Sequence, residues 1–267
     1  MFFYWMSRTR GLRRLVKWFN LTRLWFYKLG ESYRELESPL ILNHYESKTY
    51  SQNGEDGILD EIFKRIGTTN KFFIEFGIED GSENNCRHLL VNKEWKGLWI
   101  EGSPEHVEKA SKFFKDHPVQ IQNEFITKEN IVSLIQKSEA PKEPDFLTVD
   151  IDGNDFYVWE EILKNYRPRL CCLEYNASFK PSVDFIMTYN ADHTFTPVRN
   201  YGSSLKSLTG LAKKYGYQLV GCDKKGINAF FVRDDLVGDK FYKAGHDVDF
   251  HYRSPKYHGF FFGFPNI

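Results

Sequence analysis

The stretch Lys71–Glu101 constrains this chain more than any other. It opens on Phe72-Phe73-Ile74-Glu75-Phe76, an apolar run with the length and bulk of a strand buried on both faces. A glycine turn follows, with Gly77 and Gly81 bracketing Ile78-Glu79-Asp80. Cys86–Asn92 has the pattern of a helix, and a second strand-like run, Leu98-Trp99-Ile100, ends at Glu101. The unit is therefore strand, turn, helix, strand, acid. An acid about 20 residues beyond such a turn reaches the ribose hydroxyls of a nucleotide lying over it. The stretch reads as a nucleotide-cofactor cradle, although an α/β unit with empty strand tips shares the same outline.

The remaining strands extend this unit into a doubly wound sheet. Val119–Asn123, Asp145–Asp152, Arg169–Tyr175, Tyr217–Cys222 and Asn228–Arg233 each have strand character, and the last two flank the hairpin signal Asp223-Lys224-Lys225-Gly226. Helical patterns fall between them: Tyr50–Ile66, Ser103 to about Lys115, Ile131–Ile135, Phe156–Leu163 and Leu205–Tyr215. The polar cluster Ser51, Gln52, Asn53, Glu55 and Asp56 before the first helix is read either as a cap or as a wall of the cofactor mouth. Asp150, Asp152 and Asp155 lie within six positions at the end of the fourth strand, and strand alternation puts the first two on one side. Like charges that close need a metal, a cationic ligand or basic residues between them, while a capping role suffices for Asp155. In a doubly wound sheet the carboxyl tips open into one crevice, so Asp150, Asp152, Glu174 and Asn176 are expected to converge beside Glu75 and Gly77. Ala177–Gly202 lacks periodicity and carries His193, as expected of a lid over that crevice.

Composition narrows the classes. The 267 residues are 41% hydrophobic and carry no net charge, so the whole-molecule field gives no argument for nucleic acid. Cys86, Cys171, Cys172 and Cys222 have neither zinc spacing nor a disulfide framework and read as buried residues of a reducing compartment. Eight Lys or Arg alternate with Trp and Leu over residues 1–36, a basic amphipathic pattern that suits an anionic membrane surface, its own domain or a second subunit. No apolar run approaches the roughly 20 residues a spanning helix needs, and no signal-peptide pattern is present. The expected divisions are a helical extension over 1–48, the sheet domain over 49–235 and an aromatic tail over 236–267 that packs on the domain or on a partner in a homodimer.

Phe73–Gly81, Leu98–Pro104 and Leu147–Asp155 together resemble the FkbM-type class I S-adenosylmethionine-dependent methyltransferases. The matching elements are Glu75-Phe76-Gly77 through Gly81, then Glu101-Gly102-Ser103-Pro104, then Asp150-Ile151-Asp152-Gly153-Asn154-Asp155. Ser51–Gly57 (SQNGEDG) and Tyr201–Leu205 are similar to a subgroup common in surface-polysaccharide clusters. The resemblance covers residues 50–233. Glu79 replaces a usual glycine, and Asp152 stands where a Glu is common; the first departure leaves less room for a pyrophosphate and suits a sulfonium cofactor.

The resemblance implies a Rossmann-like class I methyltransferase fold of about seven strands, mostly parallel and ending in an antiparallel hairpin. It also implies transfer of a methyl group from S-adenosyl-L-methionine to an oxygen of a capsule or O-antigen building block, such as a sugar hydroxyl or a phosphoramidate precursor. The expected cofactor residues are Glu75, Gly77, Gly81, Asn85, Glu101, Gly102, Ser103, Asn123, Glu124 and Asp150. Within that set Glu101 takes the ribose, Glu75 the methionine ammonium, and Asn123 or Glu124 the adenine. The expected catalytic residues are Asp152, Asp150, Glu174 and His193, and a divalent cation such as magnesium would sit on Asp152, Glu174 and Asn176. The expected site of action is the cytoplasm, up to the inner face of the membrane. Two alternatives stay open: a nucleotide-sugar transferase using Asp150-x-Asp152, and a non-catalytic membrane- or partner-binding protein on the same scaffold.

Overall fold

A computed structural model describes residues 37–194, 200–245 and 247–256 of the chain. The basic amphipathic stretch 1–36, Arg199, His246 and the aromatic residues from Tyr257 onward lie outside them. Contacts divide the chain into two units, Met1–Ile41 and Leu42–Ile267. In the first, the described residues Glu37–Ile41 form a turn closed by the Ile41 N–H on the Ser38 carbonyl at 3.1 Å. All that follows concerns the second.

After a short 3-10 turn, Leu42–Tyr45, come α1 (Glu55–Ile66), β1 (Phe72–Phe76), α2 (Arg87–Asn92), β2 (Lys96–Glu101), α3 (Pro104–Phe113) and β3 (Val119–Asn123). Next are α4 (Ile131–Gln136), β4 (Phe146–Val149), α5 (Asp155–Asn165), β5 (Leu170–Glu174) and α6 (Leu205–Lys214). β6 (Tyr217–Cys222), β7 (Asn228–Arg233), α7 (Asp234–Val237) and α8 (Val248–His251) complete the chain. The seven strands form one sheet in the order β3-β2-β1-β4-β5-β7-β6. β1 to β5 run parallel, and β7 and β6 pair antiparallel. This is the doubly wound, mostly parallel Rossmann-like sheet of seven strands expected from the sequence, final antiparallel hairpin included.

Alternation along the buried strands sorts the core into two layers. Ile74, Leu98, Leu147 and Cys171 face α4, α5 and α6, whereas Phe73, Trp99, Phe146 and Cys172 face α1, α2 and α3. The two adjacent cysteines thus point to opposite faces, and all four cysteines are free and buried. Removal of this apolar surface from water is the main stabilising contribution. No helix among the described residues is long and apolar enough to cross a membrane.

Ser51, Asn53, Glu55 and Asp56 of the polar cluster fasten the start of α1. Asp56 Oδ2 accepts from the N–H groups of Thr49, Tyr50 and Ser51, and Ser51 Oγ accepts in return from the Asp56 N–H. Glu55 accepts from Asn53 and from the Asn228 amide at 2.9 Å, which ties α1 to β7. These buried acceptors satisfy loop donors that would otherwise be stranded.

Candidate active site

β1, β2, β4 and β5 all end at one edge of the sheet, and the chain reverses its strand order between β1 and β4. The glycine turn after β1 sits at that switch point. Gly77 adopts φ +67, and a Cβ there would lie 1.9 Å from the Asp150 carbonyl oxygen. Only glycine lets the two tips approach this closely. Gly81 also has positive φ and closes the turn by donating to the Ile78 carbonyl.

Glu101 ends β2 beside this turn. Its Oε2 accepts from the Glu79 N–H at 3.0 Å and its Oε1 from the Ser103 N–H at 2.8 Å. His106 Nδ1 stands 3.9 Å from Oε1. A carboxylate has about four lone-pair sites, so two remain for two hydroxyl donors. Ser103 caps α3 through the His106 N–H, Gly102 follows Glu101, and the Asn123 amide donates to the carbonyls of both Glu101 and Gly102. The Asn123 amide nitrogen therefore ties the β2 and β3 tips together. Glu124 is exposed and pairs with Lys137 at 3.6 Å. Phe125, which the sequence reading passed over, is 49% exposed, and its ring lies 3.5 Å from where a Gly102 Cβ would be. An apolar residue directly after a polar strand tip was the available signal.

Glu75 was expected to take the methionine ammonium, but its carboxylate is already occupied by the chain itself. Oε2 accepts from Asn84 Nδ2 at 2.6 Å, Trp99 Nε1 at 2.8 Å and the Cys86 N–H at 3.2 Å, and Oε1 accepts from the Asn85 N–H at 2.8 Å. Burial pushes the carboxyl up to about 7 against these donors. Glu75 thus organises the 84–86 turn. Asn85 is held inward by Thr148 Oγ1, and the acceptor left over is Asn84 Oδ1, buried without a partner.

The second acidic group lies at the β4 and β5 tips. The sequence extends β4 through Asp152, but the strand stops at Val149, and Asp152 takes a left-handed φ of 57°. Alternation therefore does not align Asp150 with Asp152; the loop does. Asp155 builds that loop, because it accepts from the Ile151 N–H at 2.9 Å and the Gly153 N–H at 2.8 Å instead of capping α5. Burial pushes Asp155 up to about 6. One carboxylate oxygen each from Asp150, Asp152 and Glu174 gathers within 4.8 Å of the others. Burial, and then the neighbouring carboxylates, raise Asp150 and Glu174 well above the usual range, with the Tyr201 hydroxyl pulling Glu174 back. Asp152 is raised by burial and by Glu79, and lowered by His193. Asn176, the expected third metal ligand, has its side chain engaged by the chain itself. Its Nδ2 donates to the Tyr201 carbonyl and its Oδ1 accepts from the Ser178 N–H. His193 reaches the loop from 41 residues away, with Nε2 3.0 Å from the Asp152 carbonyl.

Glu79 joins the two groups. Its N–H is held by Glu101, and its charge raises both Asp150 and Asp152. Glu101 and Asp152 thus lie at the same edge of the sheet.

No protein-family model matches the chain, and no curated protein sequence matches it. Among solved structures the chain is similar to the CurJ carbon methyltransferase at 10% identity and TM-score 0.44, over 66% of this chain and 52% of that one. The match thus spans about half of the CurJ protein. The chain is also similar to the N-terminal domain of EvdMO1 with SAH bound, at 11% identity and TM-score 0.45 over 77% and 94% of the two chains. A SAM-dependent methyltransferase from Aquifex aeolicus is similar at 13% identity and TM-score 0.41, over 75% and 95%.

Proposed function

We propose that the chain is an S-adenosylmethionine-dependent methyltransferase acting on an oxygen of a surface-polysaccharide building block, a sugar hydroxyl or a phosphate-derived group. The observation that carries this reading is the pairing of two acidic tips across one glycine turn. Glu101 keeps two acceptor sites at the β2 tip, where the adenosine would lie, and Asp150, Asp152 and Glu174 gather at the β4 and β5 tips. The donor set fits the cofactor: Glu101 for the ribose, the Gly77 turn for close backbone approach, and Asn84 Oδ1 as a buried acceptor suited to an ammonium donor. Phe125 offers an exposed ring for adenine. No phosphate-binding feature is required of the turn, in which Glu79 stands where a dinucleotide site favours glycine.

When bound, the cofactor supplies an already activated methyl group. The chain's own task is to align the acceptor oxygen and remove its proton. His193 is suited to the second role. Its Nε2 faces a carbonyl, which only accepts, so Nε2 carries the proton and Nδ1 is the basic nitrogen of the neutral ring. The crowded carboxylates suit a divalent cation on Asp150, Asp152 and Glu174, which would relieve their repulsion and acidify an acceptor hydroxyl. A homodimer and peripheral membrane contact through residues 1–36 belong to the same proposal, as does action in the cytoplasm at the inner membrane face.

The test is incubation with methyl-labelled cofactor and fractionated cell-envelope precursors, followed by mass analysis. The expected result is an added methyl group that is lost in Asp152→Asn while cofactor affinity is retained. A chain that binds nucleotide sugar and ignores S-adenosylhomocysteine in parallel titrations would refute the proposal.

A further inference from the structure

An asparagine immediately before a helix ordinarily caps it, accepting from an N–H of the first turn and contributing about 1 kcal/mol. Asn154 stands at that position before α5 and makes no such bond. Its side chain, 97% buried by its 3% residual exposure, is turned to another segment. Nδ2 donates to the Asn190 carbonyl at 2.7 Å, and Oδ1 accepts from the Asn190 N–H at 3.4 Å. The amide thus pairs with both peptide groups of one residue, as a neighbouring strand would.

Segment 185–193 is anchored independently at its start. Ile186 bridges Ser203, the Met187 N–H donates to Gly202, and the Phe185 N–H donates to Ser204 Oγ and Ser207 Oγ. Tyr157 OH donates to the Met187 carbonyl at 2.8 Å, and the Tyr189 hydroxyl donates to Glu129. Beyond Asn190, the polar side-chain contact back to the acidic loop is His193 Nε2 on the Asp152 carbonyl. Gly153 provides the space, since a Cβ there would lie 2.6 Å from His193 Nε2.

We propose that Asn154 is a positioning residue for the acceptor side of the crevice: by holding both peptide groups of Asn190 it seats the His193 ring on the Asp152 carbonyl. The purpose of this arrangement rests on the methyltransferase reading, but the clamp does not. With Asn154 removed, His193 keeps its Nε2 bond to the exposed Asp152 carbonyl and its N–H bond to the Asn190 carbonyl, but the turn at Asn190 is no longer tied to the start of α5, so the ring loses its fixed direction.

The full chain, labelled with nitrogen-15 histidine, tests this by NMR and by amide hydrogen exchange. In the wild type a protected His193 Nε2 proton is expected, identified by its disappearance in His193→Gln. In Asn154→Ala that proton is lost, and exchange over residues 188–193 accelerates by about tenfold or more. Asn190→Ala retains the peptide groups that Asn154 holds and removes only the Oδ1 that accepts from the Asp192 N–H at 3.1 Å, so it keeps the His193 proton while the Asp192 amide alone exchanges faster. Circular dichroism establishes that each variant is folded, and Asn154→Ser takes the place of the alanine variant if the latter does not fold. A wild type without the protected proton, an Asn154 variant that keeps it, or an equal loss in Asn190→Ala would overturn the proposal. S-adenosylhomocysteine titration separates the two readings. Asn154→Ala should bind within about threefold of wild type, and a larger loss would overturn the acceptor-side assignment. Absence of binding by the wild type defeats the cofactor reading and leaves the clamp standing.

Discussion

The two ends of β4 carry the same side-chain type in opposite circumstances. At the amino end Asp145, fully buried, accepts from the N–H groups of Thr69, Asn70 and Lys71 and from Thr69 Oγ1, at 2.7 to 2.9 Å. Arg169 Nε stands 3.1 Å away. At the carboxyl end Asp150, Asp152 and Glu174 crowd one another, and the Tyr201 hydroxyl on Glu174 is their side-chain donor among the described residues. The first arrangement holds the chain entering β1 against β4 and Arg169. The second keeps like charges together at a cost in stability, as expected where the group is organised for something other than folding.

The strongest attempt to break this contrast is a pair of variants. Asp145→Ala removes the shared acceptor of the Thr69, Asn70 and Lys71 N–H groups and the buried carboxylate that pairs with buried Arg169, so a loss on the order of 3–5 kcal/mol is expected in urea unfolding. Asp150→Asn removes repulsion and should leave stability unchanged or raised; equal damage from both would abolish the distinction. Next in size, Glu101→Ala should weaken S-adenosylhomocysteine binding at least about 100-fold, roughly 3 kcal/mol, in calorimetric titration. Unchanged affinity would remove Glu101 from the ribose.

Asp155 sharpens the comparison through pH. Its folded value of about 6 lies above the ordinary 3.8, so the folded chain holds a proton that the unfolded chain releases between these values. Its stabilising contribution is therefore complete below about 3.8 and is lost as pH rises through about 6. Relative to Asp155→Asn, the wild type should lose roughly 2–3 kcal/mol between these limits; a difference that does not change with pH would contradict the assigned burial. The smallest effect is magnesium. At a few times its Kd it should stabilise the wild type by about 1 kcal/mol and Asp150→Asn by less. Equal responses would show that protons, rather than a cation, relieve the cluster.

Much of the fold was legible. The limits expected for β1, β3, β6 and β7 coincide with those observed, because period-2 apolar runs bounded by glycine and polar residues are local signals. β4 overran by three residues, since an Asp-x-Asp ending continues the alternation on paper while the chain turns at Val149. The site was legible as an edge of the sheet but less so as a set of roles. Glu75, Asn123 and Asn176 were assigned to ligands, and all three are engaged by the chain's own groups. Phe125 and Asn154 were overlooked, one because a lone aromatic carries no spacing and the other because a helix-start asparagine already has an ordinary explanation.

The sequence by itself determined the strands, their glycine turn, the closing hairpin and the inventory of acids at the strand ends, because each depends on neighbours a few residues away. Tertiary structure decided which acids are saturated and which are left crowded. That depends on how many N–H groups converge from distant segments: Thr69–Lys71 on Asp145, Asn84–Cys86 on Glu75, and none comparable on Asp150 among the described residues. A carboxylate's state follows from the donors that folding brings to it, and those donors are far away in the chain.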